Sequence, residues 1–488
     1  MSPALPLTRD KFYIDGEWRV PCTSQAIRII SPHTEQSIGT VPDAANGDID
    51  AAVAAARRAF DQGEWPRISV EERSAVMHRI ADYLRERGPQ LASLISAEMG
   101  GPMGRLGRAP HAPADLIDYY ADLGPKLGFA HPRTGLVGPA VVRHDPIGVV
   151  AAITPWNGPL TLLLMKFAPA LIAGCTVVAK PSPEAPLDAY VLADACEQAG
   201  LPAGVFNLVP GGREAGEYLV RHADVDKVAF TGSTAAGKRI AELCGRDLRR
   251  VSLELGGKSA AVALADASAE VVAANAIPFG LAFNNGQACA ALTRILVPRR
   301  REQEFVAALR AEMAKLTVGD PADTAVSVGP VVAERQRARI EGLIASGREE
   351  GATVVVGGGR PAHMSRGWYV EPTLFTDVDN RMRIAREEIF GPVGVVIAYD
   401  GGDDAAIAIA NDSPYGLAGA VFSADPIRAY DVVKRLRAGT VGVNRFYIDP
   451  HLPFGGFKQS GIGRENGPEG ILSFTEIKTV LGLPEGML

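Results

Sequence analysis

The chain is poor in cysteine, has no excess of one charge sign and contains no long apolar run free of breakers. Cys22, Cys175, Cys196, Cys244 and Cys289 are an odd five in 488 residues, with no CxxC pair and no Cys/His cluster at zinc spacing. Neither a disulfide framework nor a metal site is expected, and a reducing, cytoplasmic setting is. Lys plus Arg number 50 against 56 Asp plus Glu, a net charge of −6 without a basic stripe. Nucleic acid is therefore not an expected partner. Residues 1–10 lack the charged start and apolar core of a secretion signal. From 146 to 179 the only charge is Lys166, but Pro155, Pro159 and Pro169 interrupt the stretch. Proline removes a backbone donor and clashes with the preceding turn, so no membrane span is expected there.

Hydrophobic residues at 47% and charged residues at 22% describe a folded chain with a large core. The interrupted stretch divides into a run at 147–154, a helix over 160–173 and a second run at 175–179. Short runs without polar alternation are what strands covered on both faces show, so this reads as a β-α-β unit. The pattern continues with helices at 187–199, 214–221 and 234–243 and strands at 205–209, 227–230 and 251–255. A second series has strands at 260–264, 294–297, 353–356, 393–398 and 440–443, with helices at 302–315 and 426–438. The fold class is α/β, two doubly wound domains meeting near Gly256-Gly257. Helices at 49–60 and 70–87 flank the first sheet, and 124–145 is a linker or a protruding hairpin. Ligands of such sheets sit at the carboxyl ends of the strands.

Chemistry-bearing residues fall at those ends. Phe230-Thr231-Gly232-Ser233 closes a strand and opens a helix, where backbone amides and the positive helix end hold phosphate. Gly232 to Lys238 also has the GxxxxGK spacing of a nucleoside-triphosphatase loop, but Arg239 follows in place of Ser or Thr; the competing enzyme class is a P-loop-type NTPase. Glu254 ends an apolar strand before Gly256-Gly257, where burial raises a carboxyl pKa toward that of a general base. Cys289, in Gly286-Gln287-Ala288-Cys289, has small neighbours and an accessible thiol. The Asn157 amide, in Pro155-Trp156-Asn157, is a donor for a developing oxyanion. Lys180 ends the next strand, where a cofactor hydroxyl or phosphate or solvent meets it.

In the order Pro155-Trp156-Asn157, Lys180-Pro181-Ser182, Phe230-Thr231-Gly232-Ser233, Glu254-Leu255-Gly256-Gly257-Lys258, Gly286-Gln287-Ala288-Cys289, Glu387-Glu388-Ile389-Phe390-Gly391-Pro392 and Pro453-Phe454-Gly455-Gly456-Phe457-Lys458, the chain resembles the NAD(P)-dependent aldehyde dehydrogenase superfamily. The resemblance runs from Phe12 to Thr475. It implies a Rossmann-like dinucleotide-binding domain (1–123 and 147–256), a catalytic domain (257–460) and an oligomerisation arm (124–146 and 461–488) of a homodimer or homotetramer. It implies that Cys289 adds to the aldehyde as nucleophile, Asn157 and the Cys289 amide hold the oxyanion, Glu254 activates the hydrolytic water, and Lys166 and Glu465 relay its proton. It implies a cofactor site of Ile153, Thr154, Pro155, Trp156, Lys180, Ser182, Phe230, Gly232, Ser233, Leu255, Gly256, Glu388 and Phe390. The substrate is expected against Gly158, Met165, Ala288, Ala290 and Phe454.

Two departures bear on specificity. NAD-preferring relatives carry Glu three residues after the motif lysine; here Pro183 stands there and Glu184 follows. With no Lys or Arg between 181 and 188 to neutralise a 2′-phosphate, NAD is the expected cofactor, with NADP still open. Gly158 and Met165 stand where relatives often carry aromatics, which implies a wide apolar channel for an aromatic, terpenoid or medium-chain aldehyde. The alternatives are CoA-dependent acylation, which Glu254 argues against, the P-loop-type NTPase, and a non-catalytic structural protein.

Overall fold

The computed structural model describes residue 5 and residues 7–482. The apolar runs form strands Val149–Ile153 and Thr176–Lys180, buried at every residue and joined by helix Pro159–Ala173. That helix stops at Gly174, whose φ of +96° is the left-handed conformation open to glycine. Its one charge, Lys166, is fully buried.

These strands belong to an eight-stranded sheet in the order Gly461–Ile462, Arg250–Glu254, Lys227–Thr231, Val149–Ile153, Thr176–Lys180, Phe206–Leu208, Phe12–Ile14, Glu17–Arg19. The five from Arg250–Glu254 to Phe206–Leu208 are parallel. Among these five the chain enters at Val149–Ile153, winds to Phe206–Leu208, then returns to the other side at Lys227–Thr231. The direction of winding reverses between Val149–Ile153 and Lys227–Thr231, so a ligand crevice opens at their carboxyl ends, beside Thr154 and Gly232. The antiparallel edge is a hairpin whose turn residues Asp15 and Gly16 both have positive φ, 59° and 76°. Asp-Gly is the dipeptide that admits such a turn, a signal the apolar-run reading passes over.

The second sheet is ordered Thr353–Val356, Thr373–Thr376, Val393–Tyr399, Arg294–Pro298, Ala260–Ala263, Ala418–Phe422, Thr440–Val443, parallel except at its first pair. Thr373–Thr376 and Ala418–Phe422 are absent from the strands read in the sequence. The helix expected over 426–438 ends at Val433. There the Asn411 side chain donates to the Arg435 carbonyl and accepts from the Arg437 amide, drawing the chain off the helix axis.

Alternate residues of each sheet enter different cores: Val150 and Ala152 one, Val149, Ala151 and Ile153 another, and likewise Ala260 and Val262 against Ala261 and Ala263. Each sheet is thus covered on both faces. Ala130–Thr134 and Pro139–Pro146 form a hairpin, resolving the open reading of 124–145, and Thr475–Leu481 adds a third antiparallel strand.

One buried pair gives a pH-dependent prediction. Glu98 and Asp188 are buried, and the Leu187 amide donates to Glu98 Oε1 at 3.0 Å. Burial pushes Asp188 up to about 8; burial, then the Asp188 charge, raises Glu98. The folded chain therefore keeps protons that the unfolded chain releases near pH 4, and stability falls as pH rises from about 4 through about 8. Thermal unfolding at pH 5 and pH 9 is expected to show Asp188→Asn losing less stability over that interval than the parent, by on the order of a few kcal/mol. Equal losses in the two proteins contradict this assignment.

Candidate active site

The carboxyl ends of the first sheet border a cleft of about 590 Å³. Of the expected cofactor residues, Ile153, Thr154, Pro155, Trp156, Lys180, Ser182, Phe230, Gly232 and Ser233 line it. Ser233 caps helix Thr234–Arg246, its Oγ accepting from the Ala236 amide at 3.3 Å, so the helix presents its amide end to the cleft. Thr154 Oγ1 and Thr234 Oγ1 are buried without a partner. Lys180 donates to the carbonyls of Pro181 and Gly211 at 3.0 and 2.7 Å, and burial pushes it down to about 8. Glu184, displaced by one place in the sequence, still reaches the wall, accepting from Ser182 Oγ and from Arg335. Arg213, Arg239 and Arg335 line the cleft as well; the count of basic residues near Lys180 missed them because they arrive on other helices.

Leu255, Gly256, Glu388 and Phe390 do not line that cleft; they lie at the join between the two sheets. The Gly257 amide donates to Glu388 Oε1 at 3.0 Å. A β-carbon on Gly256 would lie 2.5 Å from Glu388 Oε2, and one on Gly257 would lie 2.2 Å from the Cys289 carbonyl. The glycine pair is what lets the Glu388 loop and the Cys289 loop approach the end of the Glu254 strand. Leu255 packs onto Gly237, and the Phe390 ring meets Trp156 edge-on with centroids 5.3 Å apart. Gln336 and Arg339, not singled out in the sequence, hold the backbone there by donating to the Phe390 and Ile389 carbonyls at 2.8 and 3.0 Å. Burial pushes Glu388 up to about 7.

Cys289 is half-buried on a loop held by three polar side chains that sequence reading also missed. Asn284 and Asn285 have φ of +53° and +60°; an Asn-Asn-Gly run is the available signal for such a turn. Asn285 donates to the carbonyls of Gly100 and Pro330 at 2.8 and 2.9 Å and accepts from the Gly329 amide at 2.7 Å. Gln287 accepts from the Val332 amide at 2.9 Å. The Asn157 amide donates to the Gln287 carbonyl at 3.0 Å, tying the Pro155-Trp156-Asn157 turn to the cysteine loop. Burial, then the charges of Glu388 and Glu254, pushes the Cys289 thiol up to about 12.

Both Glu254 carboxyl oxygens are buried without a hydrogen-bond partner. Burial and the nearby Glu465 hold this carboxyl well above the usual range. Lys166 Nζ donates to Glu465 Oε1 at 2.5 Å and to Thr231 Oγ1 at 2.6 Å. Glu465 and Phe454 exchange backbone hydrogen bonds of 2.7 and 2.8 Å, so one bridge sets both. Phe454 is nearly buried, whereas Gly158 and Met165 retain partial exposure. Ala288 is half-buried, but Ala290 is 2% exposed and packs into the core with Leu292.

A thiol, an amide donor and an unpartnered carboxyl around one loop can carry covalent chemistry at a carbonyl carbon. The family model for the aldehyde dehydrogenase family matches residues 18–480. The chain belongs to this family. It is 46% identical to geranial dehydrogenase of Castellaniella defragrans over 478 residues, 98% of this chain and 99% of that one. Its fold matches an aldehyde dehydrogenase of Mycobacterium tuberculosis complexed with NAD+, at TM-score 0.95, 46% identity and full coverage of both chains. It also matches a cysteine-to-alanine mutant of aldehyde dehydrogenase C from Pseudomonas syringae, complexed with NAD+ and octanal, at TM-score 0.93, 40% identity and full coverage of both. Membership in an aldehyde dehydrogenase family removes the nucleoside-triphosphatase reading. Lys238 is exposed and is not on the cleft wall.

Proposed function

We propose that the chain oxidises a bulky apolar aldehyde, aromatic, terpenoid or medium-chain, to its carboxylic acid with NAD through a covalent intermediate on Cys289. The observation that carries this reading is the join at Gly256-Gly257, where the Cys289 loop, the Glu388 loop and the end of the Glu254 strand meet within van der Waals reach. The cleft suits a dinucleotide: it offers a helix amide end at Ser233, an unpartnered hydroxyl at Thr154, and the Glu184 carboxylate, which suits a ribose diol. Residues 153–156, Lys180, Ser182, Phe230, Gly232 and Ser233 would hold it, with Leu255, Gly256, Glu388 and Phe390 toward the nicotinamide. Bound there, NAD supplies the hydride acceptor.

Cys289 Sγ adds to the carbonyl carbon as its S–H proton leaves to solvent, and the C=O electron pair moves to oxygen, where the second Asn157 N–H and the Cys289 backbone amide stabilise it; the C=O re-forms as the aldehyde hydrogen departs as hydride, which a bound NAD would accept, and a thioester is left on Cys289. Glu254 takes a proton from water as the water attacks the Cys289 thioester; the C–S bond breaks to a thiolate, which takes the remaining water-derived proton from the nascent acid, and the product leaves as carboxylate with the thiol restored. Glu254 passes the proton toward Glu465 and Lys166. Burial without a partner raises the Glu254 carboxyl well above its ordinary value, the direction that makes its carboxylate a stronger base. Gly158, Met165, Ala288 and Phe454 supply the apolar wall, while Ala290 is too buried to contribute. The likeness to geranial dehydrogenase and to an octanal complex supports the substrate class. The hairpin and the strand Thr475–Leu481 expose Leu136, Val137, Ile477 and Leu481, supporting an oligomerisation arm and a dimer or tetramer.

The test is nicotinamide reduction by purified protein against a panel of aldehydes, with NAD and NADP in parallel and without CoA. Geranial, octanal and benzaldehyde are expected to exceed acetaldehyde and succinic semialdehyde in kcat/KM by at least about ten-fold, since each buried methylene contributes roughly 0.8 kcal/mol. Preference for acetaldehyde or a charged semialdehyde rejects the substrate class, and a requirement for CoA rejects hydrolysis.

A further inference from the structure

Resting on the reading of Asn157 as the oxyanion donor, we propose that Arg105 and Asn284 are positioning residues for it: Arg105 fixes the orientation of the Asn284 amide, which holds Asn157 against the Cys289 loop.

Arg105 lies in the short helix Met103–Leu106, with its guanidinium 4.6 Å from the centre of the Phe283 ring. Its Nη2 donates to Asn284 Oδ1 at 3.2 Å, and Nε is buried without a partner. Among the described residues no carboxylate pairs with it, and burial alone pushes it down to about 10, so it remains a cation. On the other side, Asn284 Nδ2 donates to the Asn157 carbonyl at 2.5 Å and to the Gln287 carbonyl at 3.1 Å. The same Gln287 carbonyl accepts from Asn157 Nδ2 at 3.0 Å. Asn157 is thereby held at both ends: its main-chain oxygen by Asn284, and one of its two amide hydrogens by the carbonyl that Asn284 also holds. The other hydrogen is left for the substrate.

An asparagine amide can rotate by half a turn at little intrinsic cost, exchanging donor for acceptor. Here only one orientation satisfies its neighbours, because guanidinium is a pure donor and both carbonyls are pure acceptors. Without the cation, Asn284 Oδ1 has no partner on that side, and the flipped amide would set oxygen against two carbonyl oxygens. A charge-assisted donor on Oδ1 also polarises the amide and strengthens both hydrogen bonds from Nδ2.

The experiment is a double-mutant cycle of Arg105→Leu and Asn157→Ala, reading kcat, the aldehyde KM and NAD affinity by fluorescence titration. Arg105→Leu is expected to lower kcat by about ten-fold, since a misplacement near 1 Å costs up to 10², with KM and NAD affinity within about two-fold. Arg105→Lys should recover part of the loss. Combined with Asn157→Ala, the arginine change should add almost nothing, because both act on one donor. Should Arg105→Leu not fold, Asn284→Asp carries the same cycle: it keeps an acceptor for Arg105 and the tolerance of positive φ but removes the donor to both carbonyls. Unchanged kcat in Arg105→Leu or Asn284→Asp, or losses that multiply in full with that of Asn157→Ala, overturn the assignment. Undiminished turnover by Asn157→Ala alone rejects the oxyanion reading itself.

Discussion

Cys289→Ser is expected to lower kcat on the order of 10⁴-fold or more while leaving NAD affinity unchanged. The magnitude follows from the nucleophile: a serine hydroxyl in the same place is a weaker acid and a far weaker nucleophile than a thiol, and removing the attacking atom of a covalent mechanism costs nearly the whole rate enhancement. Retention of NAD affinity follows from the architecture, since the cleft is lined almost entirely from the first sheet and its helices, whereas Cys289 is on a loop beside the second. The other thiols make controls. Cys175, Cys196 and Cys244 are buried and Cys22 is exposed near the amino end, so Cys22→Ser is expected to have no effect on kcat. Titration with NAD followed by steady-state kinetics on one preferred aldehyde checks all of this. A Cys289→Ser enzyme retaining a tenth of kcat rules out the covalent intermediate.

The strands that carry the site were legible because central parallel strands are covered on both faces and so appear as unbroken apolar runs. Val149–Ile153, Thr176–Lys180 and Lys227–Thr231 have no exposed residue, and their carboxyl ends are where the motifs fall. Strands at sheet edges, such as Phe12–Ile14 with Glu17–Arg19, are short and take their register from a turn, which an apolar-run reading does not see. At the site, residues recognisable by their chemistry stood out, whereas residues acting through geometry did not. Gly257 and Glu388 are 131 positions apart and Arg105 and Asn284 are 179 apart. Such pairings exist only after two sheets have docked, and no periodicity along the chain encodes them. Arg213, Arg239 and Arg335 show the same thing for charge, since three helices bring to the cleft what a local count near Lys180 misses.

Glu254→Gln is expected to give one turnover of reduced nicotinamide per active site and then nearly stall, the steady rate falling by about 10²–10⁴, the usual contribution of a positioned base. Addition of Cys289 to the aldehyde needs no water, so the first turnover survives; hydrolysis of the thioester does need one, and glutamine cannot accept its proton. Glutamine matches the carboxyl in size, which matters because a β-carbon on Gly455 would lie 2.7 Å from Glu254 Oε1 and the space there is tight. The parent enzyme carries a pH signature that the variant should lose. Burial and the neighbouring Glu465 hold the Glu254 carboxyl well above its ordinary value, with Lys166 and Arg464 opposing. The carboxylate that acts as base therefore forms at higher pH than for an ordinary glutamate, and the deacylation rate should rise as pH increases and it forms. In Glu254→Gln the residual rate should lose that rise and follow hydroxide alone. Rapid-mixing measurements of the burst and the steady phase between pH 6 and pH 9 separate the two steps. A variant with no burst places Glu254 in acylation, and a variant with an unchanged steady rate and pH profile removes it from the chemistry altogether.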